Sequence, residues 1–360
     1  MKNHKANDNN HSDPILCQKK PWDTNDNSVW LASTVSLLRN VEKFKFPAKL
    51  EKGRQKQLIA LASKELLSGQ LLKNPRMLSA EELNPTQKEF LVEHFLSTQN
   101  FQQAHSGEAF ILEETGLFLA TVNIHDHIHL HIIDCKGELE SAWSRLVEIE
   151  TGLGKSVTYS FSPKYGFLTS DFNQCGTGLI VSVFLQLPGL IHSEKLDAVL
   201  DSLLDETLML SGIQGNPTEI IGDVLVVQNN YTLGVSEENI ISNLRAFATK
   251  MLVEENIIRS KIKHEESADI KDSVSRAFGI LIHSYQIEAI EALNAISLLK
   301  LGVELGWLTG VTMRDINRLF FNCRRAHLLQ QYENSLKQEE MLHKRAEYIH
   351  KILAPAHLTI

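Results

Sequence analysis

The sequence predicts an α+β protein in which a small all-helical N-terminal domain precedes a larger domain with an antiparallel sheet flanked by helices. Apolar residues recur at helical spacing from Leu50 to about Ser97. Short strand-like runs follow between Phe110 and Leu233, and helical spacing returns after Ser236. Strands that precede a group of helices are typical of an antiparallel sheet with helices packed on it.

Three segments are predicted along the chain. Residues 1–28 are rich in Asn, Asp, Lys and His and contain no apolar stretch, so we expect a flexible polar leader and no signal peptide. Residues 29–100 form the predicted helical domain, in which the Asn84-Pro85 step separates two helices because the residue before proline avoids the helical region. Residues 101–360 form the predicted α+β domain.

Composition excludes several classes of function. The chain has 36 basic and 44 acidic residues, a net charge of −8, and no dense Lys/Arg run, so we expect no nucleic-acid binding. No run of about 18 apolar residues is present, which argues against a membrane span. The four cysteines form no C-x-x-C pair, which is typical of reduced thiols and predicts a cytoplasmic protein.

Several strands and helices can be predicted individually. Strands are expected at Phe110–Leu112, Leu117–Val122, Phe161–Leu168 and Gly178–Leu187. A hairpin is expected between Asp223–Val227 and Tyr231–Leu233, with Asn229-Asn230 at its turn. Ser236 is expected to cap a helix that runs towards Lys263. Further helices are predicted over about 284–305, 312–331 and 336–353.

Histidine occupies every second position from His125 to His131. The alternation of Ile124–Ile132 predicts a strand, in which a period of two places all four histidines on one face. Imidazole is a good ligand for Zn, Cu, Ni or Fe, so this face is a candidate metal site. The alternative is that the histidines are neutral polar side chains that line a cleft. The candidate ligands are His125, His127, His129 and His131.

Four further segments have distinctive sequences and occur in a fixed order along the chain. The first two are Leu168-Thr169-Ser170 and Gly176-Thr177-Gly178-Leu179. The last two are Thr232-Leu233-Gly234 and Leu329-Gln330-Gln331-Tyr332. In their order and spacing they resemble the phosphagen (guanidino) kinase family, and most closely its bacterial protein arginine kinase branch, over about residues 28–353. The resemblance implies the guanidino kinase fold and transfer of the ATP γ-phosphoryl group to a guanidinium.

The chain departs from the family at the positions that carry its chemistry. The family binds the nucleotide phosphates with five arginines, and none of the five matching positions is Arg or Lys. The resemblance therefore implies a vestigial nucleotide cleft formed by Thr34, Ser36, His127, His129, Ile180 and Ser211, of which His127 alone matches the family residue. The two catalytic glutamates match His125 and Asn216, and the reactive cysteine matches Asp171.

The expected effect on ATP binding is large. One charged hydrogen bond contributes roughly 1.5–3 kcal/mol, so five lost arginines remove nominally about 7–15 kcal/mol. Micromolar affinity corresponds to only about 8 kcal/mol in total. Family-style ATP binding is therefore expected to be absent or very weak.

The resemblance also concerns the C-terminal region and possible partners. Protein arginine kinases bind phosphoarginine through the pattern Arg-Asp-x-x-Arg-Ala, of which Lys344 and Arg345 are the matching remnant. The alternative is that these two residues lie on a solvated helix face. The resemblance implies a homodimer and, as partners, a zinc-binding activator protein and Clp ATPase or protease components.

The leading functional prediction is a catalytically degenerate member of this family that acts as a scaffold or adaptor in Clp-type proteolysis or stress regulation. No catalytic residue and no cofactor are expected on this interpretation. The first alternative is an active ATP-dependent protein arginine kinase with a relocated phosphate clamp, for which ATP and Mg would be required. The second alternative is a metal- or small-ligand-binding module that uses the histidines.

Overall fold

The computed structural model describes residues 16–17, 19–68, 70–97, 101, 103–265, 267–332, 336 and 338–360. Its strands are β1 (Trp30–Arg39), β2 (Arg76–Ser79), β3 (Ala109–Leu112), β4 (Phe118–Val122), β5 (Ile128–Asp134), β6 (Phe161–Ser162), β7 (Gly166–Phe167), β8 (Leu179–Gln186), β9 (Leu208–Gly212), β10 (Val224–Asn229), β11 (Leu308–Thr309) and β12 (His357–Leu358). Eight of them form one antiparallel sheet in the order β2-β3-β4-β5-β1-β8-β10-β9.

Helices cover both faces of this sheet. They are α1 (Lys52–Leu66), α2 (Pro85–Phe95), α3 (Leu139–Gly154), α4 (Pro188–His192), α5 (Leu196–Leu203), α6 (Glu237–Glu265), α7 (Ala268–His283), α8 (Ala289–Leu305), α9 (Met313–Asn322), α10 (Arg325–Gln331) and α11 (Met341–Leu353). The α+β class is therefore confirmed. No helix within the described ranges is long and apolar enough to cross a membrane.

The sheet separates two hydrophobic layers. On one face α1, α3 and α6 pack against side chains such as Val35 and Leu130. On the other face α2 and the C-terminal helices α8 and α9 pack against side chains such as Phe184 and Val226. Apolar burial on both faces supplies the main favourable term for folding. The candidate site lies on the second face.

The expected boundary between a helical domain and a sheet domain is wrong. β1 lies within the predicted helical segment, yet it pairs with both β5 and β8 at the centre of the sheet. β2 pairs with β3 at the sheet edge, so the N-terminal third contributes two strands as well as α1 and α2. The Asn84-Pro85 prediction is confirmed, because Asn84 caps α2 and accepts a hydrogen bond from the Gln87 amide.

The predicted leader is also wrong over its described part. Trp22 is fully buried and its ring stacks on Phe321 with 4.3 Å between centroids. Leu16 and Cys17 are buried as well. Apolar side chains therefore fix this segment to α9 by burial, despite its polar composition. Residues 1–15 and 18 lie outside the described part of the chain.

Two local strand predictions need correction. β5 begins at Ile128, because Asn123, at φ 64°, starts a tight turn that occupies the preceding residues. β10 pairs with β9, which the sequence did not reveal, and 231–233 form no strand. Helices α3 and α7 were not predicted individually. The Ser236 cap is confirmed, since its hydroxyl accepts a hydrogen bond from the Asn239 amide at 3.2 Å.

Candidate functional site

A small cavity opens on the second face of the sheet, beside the end of α2. We call it the clamp cavity. Its volume is about 70 Å³, whereas pockets for drug-sized ligands hold roughly 300–1,000 Å³. Its lining comes from β1, β5, β8, β9 and β10 together with the residues that follow α2. The lining residues are Thr34, Ser36, Leu96, Ser97, His129, His131, Ile180, Ser182, Phe184, Ser211, Gly212, Ile213, Val226 and Gln228.

The sheet register brings together the five residues that were predicted to match the family's arginines. Ser36 pairs with Ile180 across β1 and β8, and with His131 across β1 and β5. Alternate residues of a strand share a face, so Thr34 lines the cavity beside Ser36, and His129 lines it beside His131. Ser211 reaches it from β9 through the pairing with β10. Five of the six residues of the predicted cleft therefore line this cavity, whereas the sixth, His127, lies outside it and bonds to the Val41 amide and the Lys45 carbonyl.

Hydrogen bonds fix part of the polar lining. The Nε2 atom of His131 lies 3.0 Å from the carbonyl oxygen of Phe95, so it carries the proton and donates. The Nδ1 atom then accepts from the Ser36 hydroxyl at 2.7 Å. The Ser182 hydroxyl donates to the Gln228 side chain at 3.1 Å. Neither ring nitrogen of His129 has a hydrogen-bond partner within the described structure.

The clamp cavity is electrically neutral near pH 7. Burial, reinforced by the neighbouring histidines, lowers the pKa of His129 to about 3. Burial likewise lowers the pKa of His131 to about 4. Among the described lining residues none is Lys or Arg. A triphosphate placed here therefore meets no cation, although several phosphate charges need compensation.

Neither cation near these motifs in the sequence supplies the missing charge. The guanidinium of Arg39 is buried and pairs with Glu150 at 2.8 Å and Glu237 at 3.7 Å. It also lies 3.6 Å from the centroid of the Phe167 ring. The ammonium of Lys164 lies over the Tyr165 ring, on the exposed β6–β7 hairpin. The guanidinium of Arg39 is therefore held by contacts within the fold and does not line the clamp cavity.

The three residues predicted to match the family's reactive side chains lie outside the clamp cavity. Asn216 sits in the exposed turn after β9, where its side chain accepts from the Thr218 amide at 3.1 Å. Asp171 caps the short turn Phe172–Gln174 and accepts from the Asn173 amide at 3.0 Å. His125 is exposed and lines a second cavity of about 540 Å³ together with Lys45, Lys49 and Ser170.

The four-histidine metal site is not formed. His127 is in a turn, where Nδ1 accepts from the Val41 amide at 3.0 Å and Nε2 donates to the Lys45 carbonyl at 2.8 Å. His125 belongs to the second cavity, and both nitrogens of His131 are engaged. Over the described residues, no three His, Cys, Asp or Glu side chains are arranged to hold a metal ion. The physical reason is the late start of β5, which leaves only two histidines on the strand.

The predicted phosphoarginine-site remnant is wrong for Arg345. Its side chain is buried, and the guanidinium donates to the carbonyl oxygens of Cys323 at 2.9 Å and Ile287 at 2.8 Å. Lys344 forms an exposed ion pair with Glu347 at 2.6 Å. Arg345 therefore ties α11 to the end of α9 and to the start of α8, which is a structural role.

The sequence prediction omits eight of the fourteen lining residues, namely Leu96, Ser97, Ser182, Phe184, Gly212, Ile213, Val226 and Gln228. Ser182 and Phe184 lie two and four residues after Ile180 on β8. Because alternate residues of a strand share a face, the sequence could have predicted both. Gln228 enters from β10 and pairs with Ser182 across the sheet, which only the register reveals.

Comparison with solved structures places this architecture among the guanidino kinases. The duplicated taurocyamine kinase from Schistosoma mansoni matches with a TM-score of 0.55 and 24% identity, over 63% of this chain and 33% of that chain. A lombricine kinase structure matches with a TM-score of 0.56 and 18% identity, over 65% of this chain and 68% of that chain. These likenesses show the fold.

Sequence comparison then defines the family. Residues 57–258 match the ATP:guanido phosphotransferase C-terminal catalytic domain, and residues 267–358 match the protein-arginine kinase C-terminal domain. A protein-arginine kinase of Chlamydia pneumoniae is 33% identical over 91% of this chain and 92% of its own length. Another from Bacillus cereus is 31% identical over 92% and 95%. The chain belongs to the ATP:guanido phosphotransferase family, in its protein-arginine kinase branch.

Proposed function

We propose that this protein is a pseudokinase that keeps the guanidino kinase fold and acts as a non-catalytic scaffold or adaptor. The observation that carries the proposal is the clamp cavity, where five phosphate-binding positions meet without a single Lys or Arg among the described lining residues. The replaced side chains only line the cavity, whereas the two hydrophobic layers that stabilise the sheet are kept. The fold therefore persists without the arginines.

The charge argument and the size argument support the same conclusion. Several negative charges of a triphosphate need fixed cations, and each charged hydrogen bond contributes roughly 1.5–3 kcal/mol. The clamp cavity offers neutral hydroxyl, amide and imidazole groups instead. Its volume of about 70 Å³ holds about five water-sized sites, since one water needs roughly 10–15 Å³ by this measure.

We infer the cellular setting by analogy with the family. The partners of such an adaptor are a second copy of the chain, a zinc-binding activator protein and Clp ATPase or protease components in the cytoplasm. No cofactor is required by this function.

One observation favours a second candidate, an active protein-arginine kinase. The relatives from Chlamydia pneumoniae and Bacillus cereus are both named protein-arginine kinases. In addition, Lys45 and Lys49 line the second cavity beside His125. These exposed lysines are the cations that a relocated phosphate site beside His125 would use.

A phosphotransfer assay separates the two candidates. The full chain is incubated with γ-labelled ATP, Mg²⁺ and a protein rich in exposed arginine, and phosphoarginine is measured. The Bacillus cereus relative serves as the reference in the same assay. We expect no phosphoarginine above the level without protein. Phosphoarginine that disappears in a Lys45→Met, Lys49→Met variant would establish the second candidate and refute the pseudokinase.

A further inference from the structure

Five large apolar side chains are exposed at the end of the sheet where β1 and β10 end and β8 begins. They belong to the β6–β7 hairpin, to the short turn Phe172–Gln174 and to the segment after β10. We call them the aromatic surface. Their exposed fractions are 60% for Phe161, 46% for Tyr165, 79% for Phe172, 46% for Tyr231 and 48% for Leu233.

The three segments are fixed to one another at Gly176. Gly176 exchanges two backbone hydrogen bonds with Phe167, at 3.1 and 2.8 Å. The Thr232 hydroxyl donates to the carbonyl oxygens of Asn173 at 3.2 Å and Cys175 at 2.8 Å. A Cβ at Gly176 would lie 2.1 Å from the Thr232 carbonyl oxygen, and its φ is 109°. Only glycine permits this approach, so Gly176 allows the three segments to pack directly against one another.

The composition of these segments is that of an interface core. Residues 160–178 and 229–236 contain only two charged side chains, Lys164 and Asp171, whereas 22% of the whole chain is charged. The cores of protein–protein interfaces are likewise depleted in charge and enriched in aromatic residues. Rigid aromatic side chains are also the residues that dominate binding energy at such interfaces.

The area of the aromatic surface indicates the kind of occupant. The exposed parts of its five side chains amount to roughly 500 Å², since an aromatic side chain presents about 150–250 Å². This is near the upper end of the largest apolar patches on monomers, about 300–600 Å². A standard interface covers about 800 Å² per partner, and obligate dimers cover more. The surface is therefore large enough for a transient partner and too small for an obligate second copy.

We propose that the aromatic surface docks a polypeptide segment of another protein whose contacting side chains are apolar or aromatic and uncharged. Ser170, two residues before Phe172, lines the second cavity with His125, so a docked chain continues from the aromatic surface towards that cavity. The proposal rests on the adaptor function proposed above in that both need a polypeptide partner. It uses no residue of the clamp cavity.

The test uses the intact chain and a random dodecapeptide display library. Enriched peptides are synthesised, and their dissociation constants are measured by fluorescence anisotropy. We expect apolar and aromatic peptides to be enriched, and we expect Phe172→Ser and Tyr231→Ser to weaken their binding roughly tenfold or more. Tyr285→Ser is the matched control, because Tyr285 lies outside the aromatic surface and is 72% exposed. The peptide dissociation constants of this variant should stay within about twofold of those of the unchanged protein.

Several results would overturn the docking proposal. They are the absence of enriched peptides, enrichment of charged peptides, or peptide binding that Phe172→Ser leaves unchanged. A dimer that sedimentation shows to dissociate on Phe172→Ser would assign the surface to a second copy instead. If the Phe172→Ser variant does not unfold cooperatively, the peptide dissociation constants of Tyr231→Ser decide between these outcomes. Phosphoarginine formation would contradict the pseudokinase proposal but not the docking proposal. A failure of peptide binding would contradict the docking proposal but not the pseudokinase proposal.

Discussion

At the scale of the residue, the clamp cavity depends on which side chains occupy five positions on neighbouring strands. Sequence motifs placed Thr34, Ser36, His129, Ile180 and Ser211 in one cleft, and the sheet register brings them together. The protonation state of the histidines was not predictable, because it depends on burial. The metal prediction failed because alternation in a sequence does not show where a strand begins.

Replacement of Arg39 tests whether it serves the fold or the cleft. Arg39→Met leaves the carboxylates of Glu150 and Glu237 without their cation, in a partly buried site. We expect the free energy of unfolding to fall by about 2–4 kcal/mol, as measured by urea denaturation. Lys164→Met, on the exposed hairpin, should stay within about 0.5 kcal/mol. Unchanged stability in Arg39→Met would contradict the structural role.

The pH dependence of stability tests the neutrality of His129. Its folded pKa of about 3 lies below the unfolded value of about 6.5, so the unfolded chain binds the proton first as the pH falls. His129 therefore supports stability above about pH 6.5, and this support is lost as the pH falls towards 3. His129→Leu should reduce the acid slope of the unfolding free energy by up to about 1.4 kcal/mol per pH unit between pH 6 and 4.

Ser211→Ala is the control for this experiment. It alters the same cavity without removing a titrating group, so its acid slope should equal that of the unchanged protein. Equal slopes for His129→Leu and the unchanged protein would show that His129 is accessible to protons in the folded state.

At the scale of the element, the sequence was informative where a continuous apolar run or a helix cap marks the element, as in the buried strands β3, β4 and β8. α6 was predicted because Ser236 caps it and acidic residues follow. β1 was missed because Ser33, Thr34 and Ser36 interrupt its apolar run, although all ten of its residues are buried. β9 and β10 show that strand partners also depend on contacts distant in sequence.

The contact of α6 with α4 gives a prediction at this scale. Glu255 is buried, accepts from the amides of Gly189 and Leu190 at 2.8 Å, and pairs with Arg259 at 2.7 Å. Glu255→Ala leaves a buried guanidinium and two amides without partners. We expect the free energy of unfolding to fall by about 3–5 kcal/mol.

An exposed pair of the same spacing provides the control. Asp272 and Arg276 are also four residues apart on a helix, at 2.7 Å, but both are largely exposed. Asp272→Ala should cost about 0.5 kcal/mol or less. Equal losses for the two variants in urea denaturation would show that the burial of Glu255 does not determine its contribution.

At the scale of the whole molecule, folding and phosphate binding depend on different residues. The two hydrophobic layers on either side of the sheet involve strands and helices from both ends of the chain. The substituted positions occupy only the lining of one cavity between strands and α2. On the pseudokinase proposal, a chain of this family loses its phosphate clamp without losing its architecture. The sequence motifs led to this proposal, although the predicted domain boundary was wrong.

The most direct test of this account is isothermal titration calorimetry of the full chain with Mg-ATP. None of the described residues that line the clamp cavity is Lys or Arg, so the cavity offers no fixed cation to the phosphates. We predict no saturable binding up to millimolar ATP, a free energy weaker than about 4 kcal/mol. A dissociation constant in the micromolar range, lost on a substitution such as His129→Leu, would contradict the account.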